Sequence, residues 1–189
     1  MNNFSINFLS QHYYNLYANC KQILKKQERP YLVTLIELDG KIFAVPLRTN
    51  DDVPEYKIKR KEKDGLIFLT KNIENKNKCL DFSKSIIVKD PLYLGSQVKI
   101  NDTIQKLAII NFEKNIIEKL KRYIHQYKRK FMLLEAGKYH KDAYYFCAQS
   151  SFLYFHQEFG LSDPHSVIEN AKNHLILTEQ ILPQHAIEI

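Results

Sequence analysis

Apolar residues in the first part of the chain recur at helical spacing. Over residues 8–26, Leu9, Tyr13, Leu16, Tyr17, Cys20, Ile23 and Leu24 fall three and four apart, which predicts one amphipathic helix. Arg29-Pro30 ends that pattern, because proline disfavours helix at the residue before it, and residues 31–38 are rich in β-formers. Asp39-Gly40 is a strong two-residue hairpin signal, and residues 41–47 are again apolar, so residues 31–47 are expected to form two antiparallel strands. Residues 50–54 make a loop by composition. The basic run at 56–64 has the look of an ordinary solvated face. Residues 65–69 and 85–88 are short apolar segments expected to be strands, joined by a connection that includes the polar stretch 72–78.

The period returns to helical at residues 111–132, where Phe112, Ile116, Leu120, Tyr123, Ile124, Tyr127 and Phe131 make one stripe and lysines and arginines crowd the other faces. Residues 142–159 are dense in aromatics. Asp163-Pro164 then offers a helix cap with proline at the first helical position, before the periodic set Val167, Ile168, Ala171, Leu175 and Ile176. The expected class is α+β: an antiparallel sheet with several helices around it. There is no repeat, low-complexity linker or break in composition, so residues 1–189 are expected to form a single domain, with 162–189 as a C-terminal helical extension.

Composition changes this picture mainly through charge. Hydrophobic residues at 44% and only five glycines argue for a folded chain; 28 Lys and Arg against 21 Asp and Glu give a net charge of +7, and the pI near 9.1 favours a polyanionic partner. Cys20, Cys79 and Cys147 have neither the spacing of a zinc site nor the even number of a disulfide framework. No secretory leader or membrane-spanning run is visible, so a reducing cytoplasm is the expected compartment and a membrane is not an expected partner.

The sequence has no Gly-rich phosphate loop, nucleophile elbow, metal-protease helix or carboxylate-rich metal cluster. Its inventory is basic and hydroxylic, which suits RNA. The 2′-hydroxyl of RNA can itself be the nucleophile, so the protein need only deprotonate it, stabilise the phosphorane and protonate the leaving oxygen, without metal or cofactor. An antiparallel hairpin returns the chain to its start, which places Arg29, just before the first strand, near Arg48 and Thr49, just after the second. A guanidinium can hold a phosphate bidentately, and a threonine hydroxyl can hold a phosphate oxygen or the attacking 2′-hydroxyl.

The hairpin sequence RPYLVTLIELDGKIFAVPLRT, residues 29–49, resembles the first hairpin of the ToxN/AbiQ/TenpN group of type III toxin–antitoxin toxins, with the same Glu, hairpin Gly and Ala-x-Pro-Leu spacing. The likeness continues through Leu80-Asp81-Phe82-Ser83-Lys84, the basic helix and residues 147–159. The Arg-Pro-Tyr and Leu-Asp-Phe-Ser-Lys segments look closest to the TenpN branch. The resemblance implies a twisted antiparallel sheet of the MazF/Kid type, an SH3-like barrel with added helices. It also implies a sequence-selective, metal-independent endoribonuclease that leaves 2′,3′-cyclic phosphate and 5′-hydroxyl ends.

In ToxN the hairpin begins with a lysine and ends in a Thr-Ser pair. The matching positions here are Arg29 and Arg48-Thr49, and a lysine that follows the ToxN serine is replaced by Asn50 and Asp51. Arg29, Thr49 and Lys84 are the expected catalytic residues. Arg48, Lys25, Ser83, Lys57, Lys59, Arg60, Lys121, Arg122 and His156 are the expected RNA-binding residues; in an aromatic segment, His156 has the competing reading of a partly buried structural residue. The implied partners are cellular or phage RNA and a repetitive structured RNA antitoxin, assembled with the toxin in a protein–RNA ring. Two competitors are a MazF-like ribonuclease governed by a protein antitoxin and a non-catalytic RNA-binding module, which basic charge and tyrosines would explain equally well.

Overall fold

The computed structural model describes residues 4–23, 32–49, 53–71, 77–98, 109 and 111–181. Two compact units divide the chain, one of residues 1–123 and one of 124–189, with the boundary inside a long helix.

The first unit is built on the hairpin. Strands β2 (Leu32–Leu38) and β3 (Lys41–Thr49) pair antiparallel with Leu38 opposite Lys41, which leaves only Asp39 and Gly40 to turn. Both turn residues have positive φ, 51° and 70°, the mirror-image turn whose twist matches the strands; aspartate tolerates this conformation and glycine adopts it without steric cost. Strand β1 (Phe4–Leu9) pairs with the other edge of β2. Residues 8 and 9, where the apolar spacing predicts the start of a helix, belong to this strand. Phe4, Ser5, Ile6, Asn7 and Phe8 in fact alternate apolar and polar, and pairing with β2 decides for strand.

Helix α1 (Gln11–Leu16) is correspondingly short. The Ser10 hydroxyl accepts the Tyr13 N–H at 3.2 Å and so fixes the helix start after the strand. Beyond it, Cys20 N–H donates to Tyr17 and Ile23 N–H to Cys20, a succession of three-residue turns. Those turns keep Tyr17 and Ile23 on the buried side, which is why their spacing imitated a longer helix.

Helix α2 (Glu55–Lys63) holds the basic run, for which the sequence pattern predicts no regular structure. Strands β4 (Ile67–Lys71) and β5 (Asn77–Asp81) follow, then a 3₁₀ turn (Phe82–Lys84), β6 (Ile86–Ile87), a second 3₁₀ turn (Pro91–Tyr93) and β7 (Leu94–Gln97). The seven strands form one antiparallel sheet in the order β4-β5-β3-β2-β1-β7. Strand β6 also pairs with β3, so one edge of β3 takes β5 along Leu47–Thr49 and β6 along Phe43 and Ala44. Between those stretches stands Pro46, which has no N–H to give to a ladder, and the chain crosses this gap through the Phe82–Lys84 turn. Among the described residues, β4 and β7 stand at the two ends of the order and the sheet is open.

Helix α3 (Glu113–Glu135) starts in the first unit, where Ile116, Leu120 and Tyr123 are buried as the stripe required; Phe112, its first member, is half exposed. The Tyr123 ring lies 6.4 Å from that of Phe82. A smaller apolar cluster, Ile58, Ile67 and Cys79, ties α2 to the sheet.

The second unit takes the rest of α3, α4 (Lys141–Ala148), a 3₁₀ turn (Ser151–Tyr154), α5 (His156–Phe159) and α6 (Pro164–Ile181). Its core holds Tyr127, Phe131, Leu134, Cys147, Phe152 and Phe155. The aromatic segment is therefore two helices broken by a 3₁₀ turn, which Ser150 caps by accepting the Phe152 N–H at 3.2 Å. The Asp163 carboxylate accepts the His165 N–H at 3.3 Å, the expected cap of α6. Among the described residues, no helix is long and apolar enough to cross a membrane.

Candidate RNA-binding site at the sheet end

The last residues of β3 and β5 carry the candidate chemistry. Arg48 is in register with Cys79, so Asp81, two residues on, shares its face of the sheet as a diagonal neighbour. One guanidinium nitrogen of Arg48 donates to Asp81 Oδ2 at 2.8 Å, with the carboxylate 5% and the guanidinium side chain 32% exposed. The other carboxylate oxygen, Oδ1, accepts the backbone N–H of Ser83 at 3.1 Å and its hydroxyl at 2.6 Å. An Asp followed two residues later by a serine N–H is an Asx turn, and this one starts the 3₁₀ turn that delivers Lys84.

Lys84 is partly buried, and desolvation holds its ammonium below the usual lysine range; Asp81 opposes that shift, while the positive charges of Arg48 and Lys61 add to it. The apolar surroundings are explicit, since Lys84 lines a small recess with Leu9, Tyr13, Val33, Pro46 and Ile86. The Tyr13 hydroxyl is buried with no hydrogen-bond partner among the described residues, and burial pushes its pKa up. The arrangement gathers cations around one buried carboxylate that already has its own partners. Such an arrangement has the chemistry to bind an anion and to stabilise charge developing on it.

Of the residues expected from sequence, the structure brings together Arg48, Ser83 and Lys84. Thr49 is exposed at the very end of β3, in register with Lys78, and its side chain leaves the opposite face of the sheet from Arg48. Arg29 and Lys25 lie outside the described residues. Lys57, Lys59 and Arg60 are exposed on α2, where Lys59 pairs with Glu55 at 2.8 Å and Arg60 with Asp64 at 3.8 Å. Lys121 and Arg122 are exposed on α3, with Arg122 4.0 Å from Glu118.

His156 is in the core of the second unit, 4% exposed. Its Nδ1 lies 2.6 Å from the carbonyl oxygen of Ser162 and its Nε2 2.8 Å from the Tyr127 hydroxyl, so Nδ1–H donates and Nε2 accepts from Tyr127. Desolvation lowers its pKa. A neutral ring with both nitrogens engaged holds a core together and offers nothing to RNA, so the structural alternative describes His156 and the RNA-binding role does not.

Sequence reasoning gave Asp81 no role, although its Asp-x-Ser spacing was the available signal; Lys61 is covered there only as one member of the basic run 57–63, whose alternative to a solvated face is to track RNA backbone.

The class these features define is an α+β protein with an antiparallel sheet whose end gathers Arg48 and Lys84 around Asp81. Within that class the chain is similar in structure to AbiQ, a lactococcal anti-phage endoribonuclease of the type-III toxin–antitoxin system. The TM-score is 0.50 at 12% identity, over 65% of this chain and 81% of that one. It is also similar, with a TM-score of 0.49 at 15% identity, to a chain from a bacterial type III toxin–antitoxin system in which a non-coding RNA pseudoknot selectively inhibits the toxin; 65% of this chain and 78% of that one are covered. No protein-family model and no curated protein matches the sequence. At 12% identity, the likeness to AbiQ shows a shared fold.

Proposed function

We propose that the protein is the endoribonuclease toxin of a type III toxin–antitoxin system, acting on RNA in the cytoplasm as one functional domain. The observation that carries this reading is the cationic cluster of Arg48 and Lys84 around buried Asp81, on a fold shared with an anti-phage endoribonuclease. In this reading Arg48 and Lys84 bind the phosphates that flank the scissile bond. Lys84, with its lowered proton affinity, is suited to give a proton to the leaving 5′-oxygen. Thr49, exposed at the strand end, positions the 2′-hydroxyl, and Arg29 stabilises the transition-state charge; Arg29 enters on the sequence resemblance alone. The nucleophile belongs to the substrate, so products carry 2′,3′-cyclic phosphate and 5′-hydroxyl ends and no metal is required.

The antidote would be a structured RNA, processed by the toxin and then held in its site, with both components closing into a ring. The open sheet would be a relative of the MazF/Kid barrel, extended by helices. One observation favours the non-catalytic binding module instead: Arg48 and Thr49 leave opposite faces of the sheet. Thr49→Ala decides between the two. The enzyme loses cleavage by about 100-fold or more while still binding RNA, as expected when a group that organises the proton transfer is removed. A binding module shows no cleavage with either residue at this position.

A further inference from the structure

The end of α2 joins the anion site through two backbone hydrogen bonds. Leu66 N–H donates to the Lys61 carbonyl at 2.9 Å, and the Leu66 carbonyl accepts the Phe82 N–H at 2.9 Å. Gly65, with φ of 73°, makes the sharp reversal between helix and strand, and Ile67 then pairs with Asp81. The last turn of the basic helix is therefore anchored beside the 3₁₀ turn that carries Lys84. Lys61 follows buried Ile58 by three residues, is itself half buried, and is close enough for its charge to act on Lys84.

The other cations of α2 differ from it. Lys59 and Arg60 each have an acidic partner one turn away on their own helix, at 2.8 and 3.8 Å. Lys57 lies four residues before Lys61, on the same row of the helix surface, and is exposed. Arg48 pairs with buried Asp81, and the charges of Arg48 and Lys61 both act on Lys84, so three cations are grouped where one anion can meet them together.

We propose that Lys61 completes a three-cation phosphate site with Arg48 and Lys84, and that a bound RNA strand leaves this site along the α2 row from Lys61 to Lys57. This rests on the reading of the protein as one that acts on RNA, and assigns the path of the strand within that reading. The competing account makes Lys61 a charge that only complements the C-terminal end of the helix, as the other basic residues of its last turn do.

Fluorescence anisotropy with a labelled single-stranded RNA whose 2′-hydroxyls are methylated measures binding without cleavage. Affinity should be followed against salt concentration for the wild-type chain and for Lys61→Gln, Lys61→Arg and Lys63→Gln, the last an exposed lysine of the same helix turn. The expected result is that Lys61→Gln weakens binding roughly fivefold at low salt and reduces the slope of log affinity against log salt by about 0.7, the loss of one phosphate contact. Lys61→Arg restores both, and Lys63→Gln changes neither. If Lys61→Gln and Lys63→Gln are alike in a protein that binds the RNA, the proposed path is wrong and the ribonuclease reading stands. If the wild-type chain itself fails to bind, the reading falls and the path with it. Melting temperatures of the variants identify any loss that comes from misfolding.

Discussion

Asp81 is 4% exposed and its carboxylate serves three donors, so its removal has consequences on both sides of the bond. Asp81→Ala would leave the Arg48 guanidinium beside an empty space and the Ser83 N–H without its acceptor, and is expected to destabilise the fold by about 2 kcal/mol, with the partial exposure of Arg48 keeping the loss below that of a fully buried pair. A urea titration checks this, and an unchanged midpoint would mean that the carboxylate has no structural role. At His156 the governing variable is pH. The folded-state pKa lies below the ordinary value of 6.5, so the unfolded chain binds the proton more readily. The His156 contribution to stability is therefore complete above pH 6.5 and declines as pH falls from there toward the lowered folded-state pKa. Thermal melts at about pH 5 and about pH 7.5 should show this dependence in the native chain, and His156→Gln should remove the part due to this ring, whatever its absolute stability.

Among the elements, the hairpin was legible because each local signal agreed with the tertiary outcome. Asp39-Gly40 supplied the turn, apolar runs flanked it, and the observed register leaves no residue over. Gly40→Val would force a β-branched residue into φ near 70° and should cost about 1 kcal/mol in chemical denaturation, with the sheet retained. Helix α3 was equally plain, since its stripe at 3.6-residue spacing is long enough to exclude a strand. Strands β1, β5 and β7 were not legible. β1 precedes a helix whose apolar spacing runs back into it, β5 begins in a stretch of Asn and Lys that composition marks as a connection, and β7 contains Gly95 and Ser96. Those strands exist because a neighbour offers them a ladder, which is a property of the sheet and not of the segment. The site was legible to the same degree. Arg48 and Lys84 could be named from a motif, whereas their common partner Asp81 and the nearness of Lys61 depend on how β3, β5 and α2 meet.

For the whole molecule, the net charge of +7 acquires a location: part of it is the strand-end cluster and the helix anchored beside it, within the first unit. The second unit contributes a core of aromatic residues and, in His156, a side chain whose chemistry is spent internally. The central claim is that residues at the sheet end cut RNA with the substrate's own hydroxyl. Its most direct test is to incubate the purified chain with a long single-stranded RNA in excess EDTA, beside Thr49→Ala, Arg29→Ala and Lys84→Ala, and to map the fragment ends. The expected result is cleavage by the native chain, cyclic phosphate at the 3′ ends, and loss of about 100-fold or more in each variant that retains its fold. RNA that stays intact while tightly bound, or cleavage undiminished in all three variants, would contradict it.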